Sequence, residues 1–327
     1  MNICFLDKTN FSYNSNDLNS SKLRGAETVL INLAISLSSL NHQVSIINNC
    51  PSNEKIDNIN WININSLSNK IIYDLAISNN DCNLFDKIIA NKKIIISHSI
   101  QSIEKFIRKK QLLAYFRHKP KIALLSKYHL SKRNYFTRMF GHFFISYGVD
   151  QIFNKTKLLD INSIDKFQAI FTSRPDRNLE LLIDLWCKKI NPIFNQAKLL
   201  VTPNKLDYNI KSNIHFRELG SRKNMINDLL KSRMIILPGH QAELFCLAAE
   251  EARELCVPIV TLGIGSLSER VIHNKTGFIA KNNNELAEYI LELFKNDKLW
   301  LSLRSNLIKL RNSKTWDHCA QELVKNI

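Results

Sequence analysis

Residues 235–278 read IILPGHQAELFCLAAEEARELCVPIVTLGIGSLSERVIHNKTGF. The opening Ile235-Ile236-Leu237 is a short apolar run closed by Pro238, the signature of a buried strand that stops before a loop. A helical pattern fits 244–256, and Val257-Pro258-Ile259-Val260-Thr261 is the next strand. Gly263 and Gly265 then open a loop that feeds another helix. Strand, helix, strand and glycine loop in this order predict a parallel, doubly wound α/β sheet. Ligands of such sheets bind beyond the carboxyl ends of the strands, where 238–246 lies. A helix start there offers unpaired N–H donors and a positive dipole end, which suit a phosphate or a sugar hydroxyl.

The same pattern extends outward over all 327 residues. Strands are expected at 2–6, 44–47, 71–77, 93–97, 122–125 and 143–146. A polar loop is expected over 8–22, and Val29, Leu30, Leu33, Leu37 and Leu40 recur at helical spacing behind Gly25. The pattern restarts after Gly148-Val149-Asp150. Strands then fit 168–172, 198–202, 213–217, 234–237 and 258–261. Helices fit 178–190, 223–231, 244–256 and 283–294, and the chain reads as helical throughout from about 297. Residues 151–166 are polar, lack periodicity and read as a linker. Two domains follow, at roughly 100–200 residues each: 1–150 and 151–312, with 313–327 a C-terminal helix.

Composition bounds the function. The chain is 45 % hydrophobic and 23 % charged, as in soluble globular proteins. No signal peptide pattern opens it, and no run approaches the roughly 18 apolar residues of a membrane span. Seven widely spaced cysteines with no Cys-x-x-Cys point to reduced thiols in the cytosol, without a disulfide frame or zinc site. The net charge of +16 implies an anionic partner. No Gly-x-Gly-x-x-Gly follows the first strand, which disfavours a dinucleotide dehydrogenase.

Pro238, Glu243, seven residues, Glu251-Ala252, then Val257-Pro258-x-Val260-Thr261, the loop Gly263-x-Gly265 with Glu269, and Gly277-Phe278 together resemble the nucleotide-sugar signature of glycosyltransferase family 4. Two acidic residues eight apart are common by chance; the ordered set is specific. Gly25-Ala26-Glu27 is similar to the first glycine loop of that family, and Asn41-His42-Gln43-Val44 to its "Gly-His-x-Val" strand entry. Ile145-Ser146-Tyr147-Gly148-Val149-Asp150 looks like the "Asn-Gly-Val-Asp" closing its first domain. The resemblance implies a GT-B fold, with two Rossmann-like domains facing a cleft: 1–150 on the acceptor side and 151–312 binding the nucleotide sugar, with the 313–327 helix returning to the first. It also implies a retaining transferase that moves a sugar from a nucleotide diphosphate to a glycan or lipid-linked acceptor, in cell-surface polysaccharide or lipopolysaccharide synthesis.

By the same resemblance, Glu251 holds the ribose hydroxyls and Glu243 faces the transferred sugar. Backbone N–H groups of Phe245, Cys246 and Leu247 contact sugar or phosphate. Arg177 and Arg174 bind the diphosphate, Gly25 and Gly220 complete the donor-binding set, and His98 orients the sugar. A carboxylate can accept from two adjacent hydroxyls, and a guanidinium can grip phosphate bidentately. No Asp-x-Asp motif is present, so neither metal nor other cofactor is expected. Arg24, Glu254, Cys256 and Asn274 depart from the family pattern. A glycine-specific turn at 256 would be strained, whereas Asn tolerates left-handed backbone.

Plainer readings stand beside these. His98 alone reads as a core histidine, and Arg174 and Arg177 could pair with Asp176 only. Gly263 and Gly265 could be turn residues, and Cys246 a small buried side chain. Residues 101–140 carry eleven Lys or Arg against Glu104 alone. This stretch reads as a solvated face or as a surface for an anionic membrane, with nucleic acid unsupported by any motif. The expected location is cytoplasmic, including the inner membrane face. Rival functions are a catalytically weakened scaffold of the same fold and a nucleotide-sugar epimerase.

Overall fold

A computed structural model describes residues 1–20, 23–67, 71–202, 212–218 and 220–327. The chain forms two compact units, Met1–Gly148 with Lys314–Ile327, and Val149–Ser313.

The first unit holds eight strands: β1 (Asn2–Leu6), β2 (Gln43–Asn48), β3 (Glu54–Ile56), β4 (Ile59–Asn63), β5 (Ile72–Asn79), β6 (Ile89–Ile96), β7 (Lys121–Leu124) and β8 (His142–Phe144). Their order is β3-β4-β2-β1-β5-β6-β7-β8. Phe5 sits in register between Ile46 and Ile77. All pairings are parallel except β3 with β4. That antiparallel pair turns at Asp57 and Asn58, at φ 52° and 60°. Two successive positive φ values are those of a tight hairpin turn. The hairpin is absent from the sequence expectations, because an Asn-rich edge gives no apolar run. The 8–22 stretch holds a 3-10 turn at Ser15–Asn19, and residues 21 and 22 lie outside the described ones.

The helix Trp316–Lys325 packs on the helix Gly25–Ser39 of this unit. Trp316, Cys319, Ala320 and Leu323 make its buried face, the i, i+3, i+4, i+7 stripe of an amphipathic helix. Gly148 seats it: a Cβ there would lie 2.3 Å from the Trp316 nitrogen. The predicted continuous helix from 297 is therefore interrupted. Asp297–Leu310 ends, Asn312 turns left-handed at φ 61°, and Thr315 caps the last helix by accepting from the His318 N–H.

The second unit holds β9 (Asp165–Phe171), β10 (Lys198–Val201), β11 (Ile214–Phe216), β12 (Ser232–Ile236), β13 (Ile259–Thr261) and β14 (Gly277–Ile279), ordered β11-β10-β9-β12-β13-β14 and all parallel. Phe171 and Ile236 enter one apolar layer, Ile170 and Ile235 the other. A sheet covered on both faces explains why these strands read as unbroken apolar runs.

The 151–166 stretch is part of this unit, not a free linker. Phe153 is fully buried in one of its layers. Arg311 Nη2 donates to the carbonyls of Phe153, Asn154 and Thr156. Periodicity is weak there because Phe153 is its one fully buried apolar side chain, and Arg311 holds much of the rest through backbone carbonyls.

Candidate active site

Strand order reverses between β9 and β12, so the loops that follow them lie side by side at the switch point of the second sheet. The loop after β9 carries Arg174, Asp176, Arg177 and Asn178. The loop after β12 carries Gly239, His240 and Glu243. Asn178, left-handed at φ 63°, donates from Nδ2 to the Gly239 carbonyl at 2.5 Å. Arg177 Nη1 lies 2.9 Å from Asp176 Oδ2 and 3.4 Å from His240 Nδ1. The Arg177 side chain is only 15 % exposed, against 72 % for Arg174, which pairs with the same aspartate at 2.8 Å.

The loop carrying Gly263 and Gly265 presses onto the loop after β12. The Ser266 N–H donates to the Glu243 carbonyl at 2.9 Å. Gly265, at φ 74°, leaves no room for a side chain: a Cβ would meet the His240 oxygen at 2.5 Å and the Glu243 oxygen at 2.8 Å. Gly239, at φ 94°, is as tightly placed against the Ile264 oxygen, at 2.7 Å. These glycines thus shape the site through close approach, which a simple turn would not require.

Glu243 is half-buried. Burial raises its carboxyl, while Cys246, Arg177 and His240 pull it back down. Cys246 is the N-cap of the helix Leu247–Glu254, left-handed at φ 65°, and makes no side-chain cap bond. The positive end of that helix is therefore uncapped by its own N-cap side chain, beside Phe245, Cys246 and Leu247. The Cys246 thiol is buried and held well above its usual range, by burial and then by Glu243, so it is no thiolate.

Glu251 lies one turn further along. Burial pushes it up to about 7, opposed by Arg222 and reinforced by Asp150. Arg222 opens the helix Arg222–Lys231 and pairs with Asp150. Gly220 precedes that helix, and a Cβ there would meet only the ends of the Asn224 and Arg217 side chains within 3.0 Å. Sequence reasoning missed Arg222 and Asn178. Arg222 had a usable signal, a cation directly after the Ser221 cap. Asn178 had none, because its partner is 61 residues away.

The neighbouring Glu250 is structural. It is 1 % exposed and pairs with Arg253 at 3.1 Å and Arg270 at 3.0 Å. Glu254 pairs with Arg253 at 2.8 Å, which gives this departure from the family pattern a packing role. Cys256 is left-handed at φ 57° and Asn274 at φ 62°, so both stand where glycine is the easier residue.

Gly25 and His98 belong to the first unit. Gly25 is the first residue of its helix, and the N–H of the preceding Arg24 is held by Glu27 Oε2 at 3.1 Å. His98 follows β6, with its backbone N–H donating to Asn80 Oδ1 at 2.8 Å and its ring 5.7 Å from that of Tyr147. Burial pushes the imidazole down to about 4, so it is neutral near pH 7. Among the described residues, no three His, Cys, Asp or Glu side chains are grouped as metal ligands. Among them, too, no helix is long and apolar enough to cross a membrane.

Residues 196–310, which include Glu243, Glu251 and the glycine loop, match the family Glycosyl transferases group 1. That matched segment carries the nucleotide-sugar signature of glycosyltransferase family 4. No curated protein sequence matches it. Solved structures similar over nearly the whole chain show the fold to be GT-B. HepE of Anabaena in complex with UDP is 17 % identical at TM-score 0.71, covering 100 % of this chain and 99 % of that one. HepE was also solved with UDP-glucose. WaaG, a glycosyltransferase involved in lipopolysaccharide biosynthesis, is 11 % identical at TM-score 0.72, covering 99 % of each chain. Sucrose-phosphate synthase from Thermosynechococcus elongatus is 14 % identical at TM-score 0.69, covering 99 % of this chain and 97 % of that one.

Proposed function

We propose that this protein is a retaining, metal-independent hexosyltransferase that takes its sugar from a uridine diphosphate donor and passes it to a glycan or lipid-linked acceptor. The observation that carries this reading is the meeting of Arg177, Glu243 and the start of the helix Leu247–Glu254 at the switch point of the second sheet. The uridine base rests on likeness to HepE, whose structures hold UDP and UDP-glucose.

In this reading Glu251 accepts from the ribose hydroxyls, with Arg222 opposing the effect of burial and favouring its ionised form. Arg177 and the helix start meet the diphosphate, Arg174 adds charge at the rim, and Gly25 and Gly220 let backbone come close. Negative charge grows on the phosphates as the anomeric carbon–oxygen bond breaks, and fixed cations and dipoles stabilise it there. The acceptor oxygen bonds to the anomeric carbon on the same face, and its proton passes to the departing phosphate oxygen. No enzyme nucleophile is needed. Glu243 faces the sugar, and His98, uncharged, orients it through hydrogen bonding.

A lipid-linked acceptor would place the protein at the inner face of the membrane. The basic 101–140 stretch supports this, since Ile107, Leu113 and Phe116 are 58 %, 76 % and 39 % exposed within it.

The decisive experiment is a thermal-shift screen of uridine, guanosine and adenosine diphosphate sugars. UDP-glucose or a related uridine sugar should raise the melting temperature, and Glu251→Ala should abolish the rise. No shift with any donor overturns the proposal. Proton NMR of the product should show the donor's anomeric configuration kept, and an inverted product would refute retention.

A further inference from the structure

β9 and β12 also lie side by side at their amino ends, away from the donor loops. Lys166 and Arg233 are each the second residue of their strand. Both line a cavity of about 330 Å3, near the lower end of the roughly 300–1,000 Å3 usual for small-molecule sites. The register of the two strands breaks between Ser232 and Met234, on either side of Arg233. A bulge of this kind leaves backbone unpaired locally and re-aims side chains. The start of the helix Asp297–Leu310 supplies Asp297, Trp300 and Leu301, and Ile161 and Ile164 add apolar wall. All of these residues belong to the second unit.

Arg233 is held ready for an anion. Its side chain is only 3 % exposed, against 67 % for Asp297. Nε donates to the Leu293 carbonyl and Nη2 to Asp297 Oδ1, each at 2.6 Å. The guanidinium carbon lies 4.8 Å from the Trp300 ring centroid, and Trp300 Nε1 donates to the Arg233 carbonyl at 2.7 Å. The side chain is thus fixed, yet its Nη1 makes no hydrogen bond among the described residues. A nearly buried guanidinium N–H without an acceptor is a cost that a bound anion would remove. Lys166 is exposed and makes no ion pair among the described residues. Two cations against Asp297 leave one positive charge in the lining, and the positive end of the helix adds to it.

We propose that this cavity binds a small, singly charged carboxylate that carries an apolar group. The carboxylate accepts from Arg233 Nη1 and from Lys166, a pair of charge-assisted bonds. The apolar group rests on Ile161, Ile164 and Leu301, of which Ile161 is 54 % and Leu301 38 % exposed. An uncharged ligand would leave Nη1 and the surplus charge unanswered. A doubly charged phosphate would overshoot that charge beside Asp297, which already takes Nη2. An anion without an apolar group would leave Ile161 and Leu301 wet and forfeit their burial. The site is separate from the donor loops, which follow the carboxyl ends of the same strands, so it adds a second ligand to the function proposed above.

The test uses the full chain and saturation-transfer difference NMR at about pH 8, where a phosphate monoester is doubly charged. The probes are phenylacetate, isocaproate, acetate, phenyl phosphate and phenylethanol, each up to about 10 mM. Phenylacetate or isocaproate should bind better than the other three. Lys166→Glu adds a like charge and Leu301→Trp fills the cavity, both at exposed positions. Each should weaken the bound carboxylate by about tenfold or more, with the unliganded melting temperature close to that of wild type. Saturating UDP should not displace the carboxylate. The assignment is overturned if neither carboxylate binds, or if acetate, phenyl phosphate or phenylethanol binds as well. It is also overturned if a folded variant binds as wild type does, or if UDP competes. A missing UDP effect on melting would count against the donor reading alone, because these variants report only the cavity at Arg233.

Discussion

Asn178 Nδ2 donates to the Gly239 carbonyl oxygen at 2.5 Å, bridging the loops after β9 and β12, 61 residues apart in the chain. The same asparagine holds a left-handed backbone at φ 63°. Asn178→Ala therefore removes a bond and adds backbone strain, and should cost about 1–3 kcal/mol. Asn178→Gly loses the bond but not the backbone freedom, so its melting temperature should fall between those of Ala and wild type. UDP-glucose affinity should drop in the same order, because the bond aligns Arg177 with Glu243. Equal melting points for the two variants would refute this division.

Gly265 of the glycine loop and Gly220 of the donor-binding set should respond differently. Gly265→Ala forces a Cβ onto the His240 and Glu243 oxygens and places a side chain at φ 74°. It should lose UDP-glucose binding and melt several degrees lower. Gly220→Ala meets only the ends of flexible side chains, and should change affinity by less than about tenfold. Calorimetric titration of both variants measures the contrast.

Arg177 and Arg174 share Asp176 but not exposure, at 15 % and 72 %. A buried charged hydrogen bond contributes more than a screened surface one. Arg177→Ala should weaken UDP by at least about tenfold, and Arg174→Ala by only about twofold. Salt should reduce the Arg174 effect more than the Arg177 effect in titrations at low and high ionic strength.

Glu251 should make donor binding depend on pH. With its carboxyl near 7, it is largely protonated at pH 6 and ionised at pH 8. A protonated carboxyl loses acceptor capacity, so UDP-glucose affinity should rise over that interval. Glu251→Gln should be weak and much flatter with pH. Stability should run the other way. The folded carboxyl is raised above its usual 4.5, so its stabilising contribution is full below about 4.5 and is lost as pH rises through about 7. Free of ligand, Glu251→Gln should melt higher than wild type at pH 8, with the gap closing toward pH 5. Arg222→Ala should shift the binding midpoint upward, because Arg222 holds Glu251 down.

The fold was legible wherever it is written locally. The run Ile235-Ile236-Leu237-Pro238, the helix behind Glu243 and the glycines at 263 and 265 carry their own periodicity and turn chemistry. Gly148 was legible as part of a motif, but its purpose appears only when Trp316 presses against it. The β3–β4 hairpin was not legible, since Asn-rich edge strands show no apolar alternation. Arg222 carried a local signal after Ser221, but its pairing with Asp150, 72 residues away, was not legible.

Alternation of apolar runs, helix starts and left-handed turn residues were thus determined by the chain itself, because each depends on contacts within a few residues. The tertiary structure alone decided which loops became neighbours. Strand order does this: β12 inserts beside β9, and β5 beside β1. That choice brings Asn178 to Gly239 and Asp7 to Asn79, pairings that no local pattern encodes because their stabilisation arises only once distant strands have closed on one another.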